Sequence, residues 1–326
     1  MDLIRRRFLS VAGATIVGLV ASPIVRAQTY PARSVRVIVP FAPGGATDII
    51  ARLILQELSK QLGQQFYVEN IPGASGNIGT GQAAKAAPDG YTILFAFSSH
   101  VTNPSIFDKV PYDPLKDFAS ITLTVTSPAV LSVNPSLPAK TIENLVALIR
   151  ANPGKYSFAS GGTGTQPHLA GEQFRLSLGL DLVHVPYNGG GPALASAVAG
   201  HTPISFSTLS PAVPHIKEGK LRALAVTSRT RSQTVPDVPT MTEAGYPDIE
   251  GDTWVGVLAP AGTDGHIVTL LNREIVKILS LPAMKERLVE LGYEPVGNTP
   301  DEYAAQIRTE IAKWAKVIRS AGIRAQ

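Results

Sequence analysis

The chain of 326 residues contains no cysteine. This absence excludes disulfides, thiol catalysis, cysteine-bound metals and a lipid anchor on an N-terminal cysteine. Aromatic residues make up only 6% of the chain and charged residues 17%, whereas 44% is hydrophobic. That balance is typical of a globular protein rather than a disordered one, and the length allows two domains.

Positive charge is also scarce outside the N-terminus. The formal net charge of +4 includes five residues of the first 27, which are Arg5, Arg6, Arg7, Arg26 and Asp2. Without them 25 basic and 24 acidic side chains remain, and no cluster of lysines or arginines is left. The sequence therefore does not support binding to a nucleic-acid backbone.

The N-terminus has the pattern of a cleavable signal peptide. Met1 to Arg7 is basic, Phe8 to Val25 is apolar, and Val25-Arg26-Ala27 offers a small-residue cleavage site before Gln28. We predict a signal peptide at residues 1–27 and a soluble periplasmic protein. The order Arg5-Arg6-Arg7-Phe8-Leu9 also matches a twin-arginine signal, so general secretion and twin-arginine export both stay open. No other stretch approaches the ~20 apolar residues of a membrane span.

The stretch Val35 to Leu62 carries the first functional signal. Its β-branched start predicts a buried strand, Gly44 and Gly45 predict a turn, and apolar residues at helical spacing predict a helix. Thr47 or Asp48 is expected to cap that helix. A helix that starts after such a turn can bind an anion, because its first N–H groups have no partner within the helix. A tight connection without a ligand is the alternative.

Strands and helices alternate along the rest of the chain. Strands at Phe66 to Glu69 and Tyr91 to Phe97 extend the first unit to βαβαβ, which is typical of a parallel sheet covered by helices. A second α/β series begins with Ala129 to Val133. In it, the strand Tyr156 to Ser160 and the turn Gly161 to Pro167 repeat the opening arrangement.

This order predicts two α/β lobes around a ligand cleft. Lobe 1 comprises residues 28–125 and 229–326, and lobe 2 comprises residues 126–228. The two crossings, near Thr122 to Ser127 and Val226 to Arg229, form the expected hinge. Thr299-Pro300-Asp301-Glu302 predicts the start of a C-terminal helix by its capping box.

The glycine turns match neither a P-loop nor a dinucleotide fingerprint. His168 and Glu172 are four residues apart and could share a metal, but a third ligand is not apparent. No nucleophile stands at a diagnostic spacing from a histidine. The turns offer neutral donors that suit a carboxylate, namely backbone N–H groups and the hydroxyls of Thr47, Ser160, Thr163 and Thr165.

The opening stretch from Tyr30 to Ala96 and the motifs SGGTGTQPHLAGE, HVPYNGGGPAL and WVGVLAPAGT resemble the Bug family of extracytoplasmic solute receptors, the substrate-binding proteins of tripartite tricarboxylate transporters. The resemblance covers essentially the whole mature chain. It implies a type II periplasmic-binding-protein fold, membrane subunits of such a transporter as partners, and a small carboxylate ligand. That ligand would be a di- or tricarboxylate, an acidic amino acid or an aromatic acid. No catalysis, cofactor or metal is implied, and a monomer is expected.

The resemblance also implies which residues bind the ligand. The turns after the first strand and after Tyr156 to Ser160 match the family's two facing binding loops, which hold a carboxylate through main-chain groups, hydroxyls and water. Other cleft positions match less specifically. The predicted set is Pro43, Gly44, Gly45, Ala46, Thr47, Asp48, Ser98, Ser160, Gly161, Gly162, Thr163, Gly164, Thr165, Tyr187, Asn188 and Asp252.

Two other functions stay open at this point. A receptor that presents its ligand to a sensor kinase would have the same sequence features as a transport receptor. A secreted α/β enzyme would also have such a fold, although no catalytic constellation is visible in the sequence.

Overall fold

The computed structural model describes residues 30–249, 251–320 and 322–324. The predicted signal peptide lies outside these residues. The chain begins with alternating strands and helices. These are β1 (Val35–Val39), α1 (Ala46–Leu62), β2 (Phe66–Asn70), a 3₁₀ turn (Ala74–Gly76), α2 (Asn77–Ala84), β3 (Thr92–Phe97), α3 (Ser99–Ile106) and β4 (Phe118–Val133).

The middle of the chain repeats the alternation. Its elements are α4 (Ile142–Arg150), β5 (Tyr156–Ser160), α5 (Gln166–Ser177), β6 (Leu182–Pro186), α6 (Gly190–Ala199), β7 (Ile204–Thr208), α7 (Leu209–Lys217) and β8 (Arg222–Val226). The last elements are β9 (Asp252–Pro260), α8 (Gly265–Ser280), α9 (Pro282–Glu290), β10 (Glu294–Pro295) and α10 (Pro300–Ser320).

The strands form one curled sheet with two halves. In the first half β1 lies between β2 and β3 and pairs in parallel with both, as the βαβαβ pattern predicted. In the second half β5 lies between β6 and β7, again in parallel. The carboxyl ends of parallel strands share one edge, so the turns that follow these strands gather there.

Strand β4 joins the two halves. Its first part pairs with β9, from Phe118 opposite Pro260 to Pro128 opposite Asp252, and its last part pairs with β7 and β8. The first crossing, predicted near Thr122 to Ser127, therefore lies inside a continuous strand. The β-branched residues of this segment favour an extended chain, which explains why no loop interrupts it.

Helices cover the sheet and define its cores. In the second half α4 and α5 pack against the strands around Phe158, Phe174 and Phe206. In the first half α10 packs beside β9, where Trp254 and Tyr303 are almost fully buried. Of the helices in the described ranges, none combines the length and apolar character that crossing a membrane requires.

The start of α1 differs from the prediction. Gly45 is the N-cap, and neither Thr47 nor Asp48 caps the helix with its side chain. Both residues lie inside the first turn, and the Asp48 carboxylate instead accepts the N–H of Gly44 at 3.1 Å. The carboxylate thereby stabilises the turn that precedes the helix.

Candidate functional site

Three glycine-rich turns meet at the carboxyl ends of the strands. They follow β1, β5 and β6. The Ala42 N–H donates to the carbonyl of Asn188 at 2.9 Å, which links the first turn to the third. A methyl group added at Gly161 would lie 3.0 Å from the backbone nitrogen of Gly190. Glycine is needed there because the two backbones approach more closely than a side chain allows.

A cavity lies between these turns. The empty space between its walls, including the mouth, is about 370 Å³. Eleven of the described residues line it, and none of these eleven is ionisable. They are Phe41, Gly45, Ala46, Thr47, Phe97, Gly161, Thr165, Pro167, Gly190, Ser207 and Thr208.

Four helices begin at this cavity. Gly45, Thr165 and Thr208 are the N-caps of α1, α5 and α7, and Gly190 is the first residue of α6. The first N–H groups of a helix lack partners within the helix, and the helix dipole is positive at this end. Four such ends around one cavity with no lysine or arginine in its lining create a neutral site that favours an anion.

Hydroxyl and aromatic groups complete the lining. Thr47 is only 3% exposed, and its hydroxyl makes no hydrogen bond to the described residues, so it is available to a ligand. The rings of Phe41 and Phe97 pack edge to face with their centroids 5.5 Å apart. The cavity thus combines uncharged donors with an apolar wall.

The Asp48 side chain stabilises the first turn through several hydrogen bonds. Its carboxylate accepts hydrogen bonds from Arg52 and Asn70 at 3.0 Å, in addition to the Gly44 N–H. Asn70 also donates to the carbonyl of Phe41 at 3.0 Å. Burial alone would raise the pKa of the Asp48 carboxyl, but these hydrogen bonds lower it below its ordinary value. The carboxylate therefore stays ionised and supports the turn.

Further contacts link the turns to neighbouring elements. The Thr102 hydroxyl of α3 donates to the carbonyl of Gly164 at 2.6 Å. The Tyr293 hydroxyl donates to the carbonyl of Ala46 at 2.7 Å. A methyl group added at Gly162 would lie 3.0 Å from the Ser75 hydroxyl oxygen. The two halves of the sheet are thus in direct contact around the cavity.

The structure brings five of the predicted site residues to the cavity wall: Gly45, Ala46, Thr47, Gly161 and Thr165. A second group lies in the same turns without lining the cavity. It comprises Pro43, Gly44, Asp48, Ser160, Gly162 and Gly164. These residues shape the turns and orient their backbones.

The remaining predicted residues lie elsewhere. Thr163 lines a different cavity behind the second turn. The Tyr187 hydroxyl donates to that of Ser196 at 2.6 Å, which ties it to α6. Asn188 is exposed and contributes its carbonyl to the contact with Ala42.

Two further predicted positions are not part of the cavity wall. Ser98 is buried at the start of α3, directly after Phe97, and its hydroxyl has no hydrogen-bond partner among the residues that the structure describes. Asp252 is exposed at the start of β9.

The sequence analysis missed six lining residues: Phe41, Phe97, Pro167, Gly190, Ser207 and Thr208. Four of them neighbour predicted positions or lie in recognised turns. Ser207 and Thr208 end β7, a five-residue strand that was not predicted. The only local signal was Thr208, an N-cap type of residue shortly before the prolines of α7.

The second cavity is larger, with about 1150 Å³ of empty space including its mouth. His168, Glu172, Arg175 and His184 line it together with Thr163. Size alone would favour this cavity as the ligand site, but the helix N-termini converge on the smaller one. No group of three residues able to hold a metal occurs in the part of the chain that the structure describes.

Known proteins match this chain over nearly its whole length. The sequence model of the tripartite tricarboxylate transporter family receptor matches residues 50–323. BugT of Bordetella pertussis is 40% identical over 318 residues, which cover 97% of this chain and 98% of BugT. The chain belongs to this receptor family. Receptors of the tripartite tricarboxylate transporter family bind solutes and are not enzymes, which confirms the expectation of binding rather than catalysis.

Solved structures of similar receptors share the fold. The periplasmic binding protein BugD superimposes with a TM-score of 0.88 at 35% identity and covers 91% of this chain and 100% of BugD. Rpa4515 of R. palustris, solved with adipate, superimposes with a TM-score of 0.88 at 36% identity, and the match covers 90% of this chain and 99% of Rpa4515. MatC from Rhodopseudomonas palustris, with bound malate, superimposes with a TM-score of 0.84 at 34% identity, and the match covers 89% of this chain and 100% of MatC. The predicted fold of a periplasmic binding protein is therefore confirmed.

Proposed function

We propose that this receptor captures a small carboxylate in the cavity between the three glycine turns and delivers it to the membrane subunits of a tripartite tricarboxylate-type transporter. One observation carries the proposal, namely that four helices begin at a cavity whose lining has no ionisable group. Such donors stabilise an anion without a cationic side chain, since the N–H groups and helix dipoles are fixed before the ligand arrives.

The lining of the cavity and the ligands of similar receptors indicate the ligand class. Adipate and malate, which accompany Rpa4515 and MatC, are short dicarboxylates. The apolar wall of Phe41 and Phe97 suits a hydrocarbon body between or beside the carboxylates. A short dicarboxylate or a compact aromatic acid fits these features best.

Binding is tested by calorimetry on the chain from residue 28 with malate, adipate, citrate, glutamate and benzoate. The matched control is adipamide, which keeps the adipate skeleton but carries no charge. We expect at least one acid to bind and adipamide to give no heat, because helix N-termini favour an anion over a neutral amide. Equal binding of adipate and adipamide, or no binding by any acid, would refute the proposal.

We further propose that the signal peptide is removed before Gln28 and that the receptor acts in the periplasm. The basic and apolar segments before Ala27 support this. Intact-mass measurement of the protein from a periplasmic extract tests it, and a species that retains residues 1–27 would contradict it.

The ligand should also close the receptor. We propose that the lobes, residues 28–125 with 229–326 and residues 126–228, move as rigid bodies about the two crossings. The turns after β1 and β5 belong to different lobes, so both can donate to one carboxylate only when the lobes are together. Small-angle scattering should give a smaller radius of gyration with saturating ligand, and an unchanged profile despite measured binding would contradict the hinge.

A further inference from the structure

A buried histidine holds the second glycine turn from behind. The Gly164 N–H donates to His168 Nδ1 at 3.0 Å, and His168 is only 3% exposed. A ring nitrogen accepts a hydrogen bond only when it carries no proton, so this imidazole is neutral with its proton on Nε2. The ligand cavity therefore lies on one side of the turn from Gly161 to Thr165, and the imidazole acceptor lies on the other side.

A second histidine supports the same turn. His184 Nε2 lies 2.7 Å from the hydroxyl oxygen of Ser160, and that oxygen accepts the Gly162 N–H at 3.3 Å. The rings of His184 and His168 lie against each other with centroids 4.0 Å apart. Phe158 packs against both rings. The imidazoles are thus fixed in orientation by aromatic packing as well as by hydrogen bonds.

The surroundings keep both imidazoles neutral. Burial and, to a smaller extent, the charge of Arg175 together lower the pKa of His168 to about 3. Burial also lowers the pKa of His184 to about 3, with the neighbouring His168 as the next cause. Glu172 lies 3.9 Å from His168 Nε2, but its carboxylate is paired with Arg175 at 2.6 Å. The acceptor on His168 is therefore available at neutral pH.

We propose that His168 is a positioning residue for the carboxylate site, because its Nδ1 fixes the Gly164 peptide and with it the direction of the N–H groups on the second turn. Gly164 has a φ of 86°, a conformation that only glycine adopts easily. His168 holds the N–H of this residue, while the Thr102 hydroxyl holds its carbonyl at 2.6 Å. The inference rests on the proposed function, but it concerns a residue outside the cavity lining.

Two substitutions of His168, both branched at Cγ, test whether the hydrogen-bond acceptor at this position matters. His168→Asn keeps an acceptor, since Oδ1 is bonded to Cγ as Nδ1 is, whereas His168→Leu keeps a branched Cγ without an acceptor. We expect His168→Leu to weaken ligand binding in calorimetry by up to about 150-fold, the upper end of what one hydrogen bond contributes, because the turn must then become ordered as the ligand binds. His168→Asn should restore most of the affinity at a similar melting temperature.

Nuclear magnetic resonance on the ligand-free protein gives a readout that does not depend on binding. The wild-type protein should show a coupling across the hydrogen bond between the Gly164 nitrogen and His168 Nδ1, and slow exchange of the Gly164 amide proton. In His168→Leu that amide should exchange faster, because opening of the turn no longer breaks a hydrogen bond.

The outcomes separate this inference from the proposed function. If the wild-type protein binds no carboxylate, the proposed function fails, and the coupling and exchange data still decide whether His168 holds the turn. If wild type and His168→Leu bind a carboxylate equally well, or Gly164 exchanges equally slowly in both, the positioning role is refuted. It is also refuted if His168→Asn loses as much affinity as His168→Leu.

Discussion

Gly191 offers the sharpest test of whether the ligand is enclosed between the glycine turns. It is the second residue of α6 and packs against the turn that follows β1. A methyl group built on it would overlap the carbonyl oxygen of Pro43. Backbone atoms cannot rotate away as a side chain does, so Gly191→Ala can be accommodated only if the two turns separate.

The neighbouring glycine provides the matched control. A methyl group on Gly190 would lie 3.7 Å from the nearest heavy atom, the Cα of Gly45, which is ordinary van der Waals contact. Gly190 and Gly191 are adjacent at the start of α6, and both have ordinary negative φ values open to alanine. Alanine favours a helix over glycine by up to about 1 kcal/mol. Neither substitution should therefore unfold α6.

The expected loss follows from the cost of overpacking. Inserting one methyl group where there is no room costs about 1 to 3 kcal/mol, which corresponds to about 5- to 150-fold in affinity when the cost applies only to the closed, ligand-bound arrangement. We expect Gly191→Ala to lose that much affinity while its melting temperature without ligand stays at or above the wild-type value. Gly190→Ala places its methyl group at the cavity wall without meeting another backbone, so it should lose less affinity than Gly191→Ala.

Calorimetry with the tightest-binding acid and a thermal melt without ligand measure both quantities. Unchanged affinity in Gly191→Ala would show that the first and third turns are not in contact when the ligand is bound, and the reasoning from the cavity would be wrong. Equal losses in both variants would also contradict the reasoning, because the effect would then not depend on the contact between Gly191 and Pro43.

Three further predictions follow from the site and its supports. Thr47→Val should weaken carboxylate binding about 5- to 150-fold by removing a hydroxyl from the cavity wall, whereas Thr163→Val, in the second cavity, should leave calorimetric affinity unchanged. Asp48→Asn should lower the free energy of unfolding in urea by about 1 to 3 kcal/mol, because Arg52 loses its carboxylate partner and the Gly44 N–H meets a weaker acceptor. An unchanged denaturation midpoint would contradict this prediction. Burial lowers the pKa of His100 from its ordinary value to about 4, so the unfolded chain binds the proton first as pH falls. This residue should therefore lower the free energy of unfolding by about 2 kcal/mol between pH 6.5 and pH 5. In urea titrations at these two pH values, His100→Phe should lose correspondingly less stability than the wild type.

Local patterns in the sequence were sufficient for much of the fold. Thr141 caps α4 by accepting the Asn144 N–H at 3.3 Å. Glu302 accepts the Thr299 N–H at 2.9 Å, as the capping box at the start of α10 predicted. Such signals depend on residues within one helical turn, so they act in the same way whatever the rest of the chain does. The strand β5 was likewise predicted at its observed limits.

The sequence was less informative about helices whose formation depends on contacts with distant parts of the chain. The sequence analysis did not predict α3, α7, α8 or α9. Pro104 and Pro214 lie inside α3 and α7, where intrinsic preference argues against a helix. These helices form because the folded protein buries their apolar faces, and that gain outweighs the local cost.

The sequence by itself determined the types of group at the site: glycine turns without lysine or arginine, hydroxyls and helix starts. Only the tertiary structure decided which of them share a cavity. The helices that begin after Gly45, Thr165, Gly189 and Thr208 are far apart along the chain, and they converge because β1, β5, β6 and β7 end at the same side of the curled sheet. Sheet order is set by the packing of all the strands together, so no single turn of the sequence carries that information.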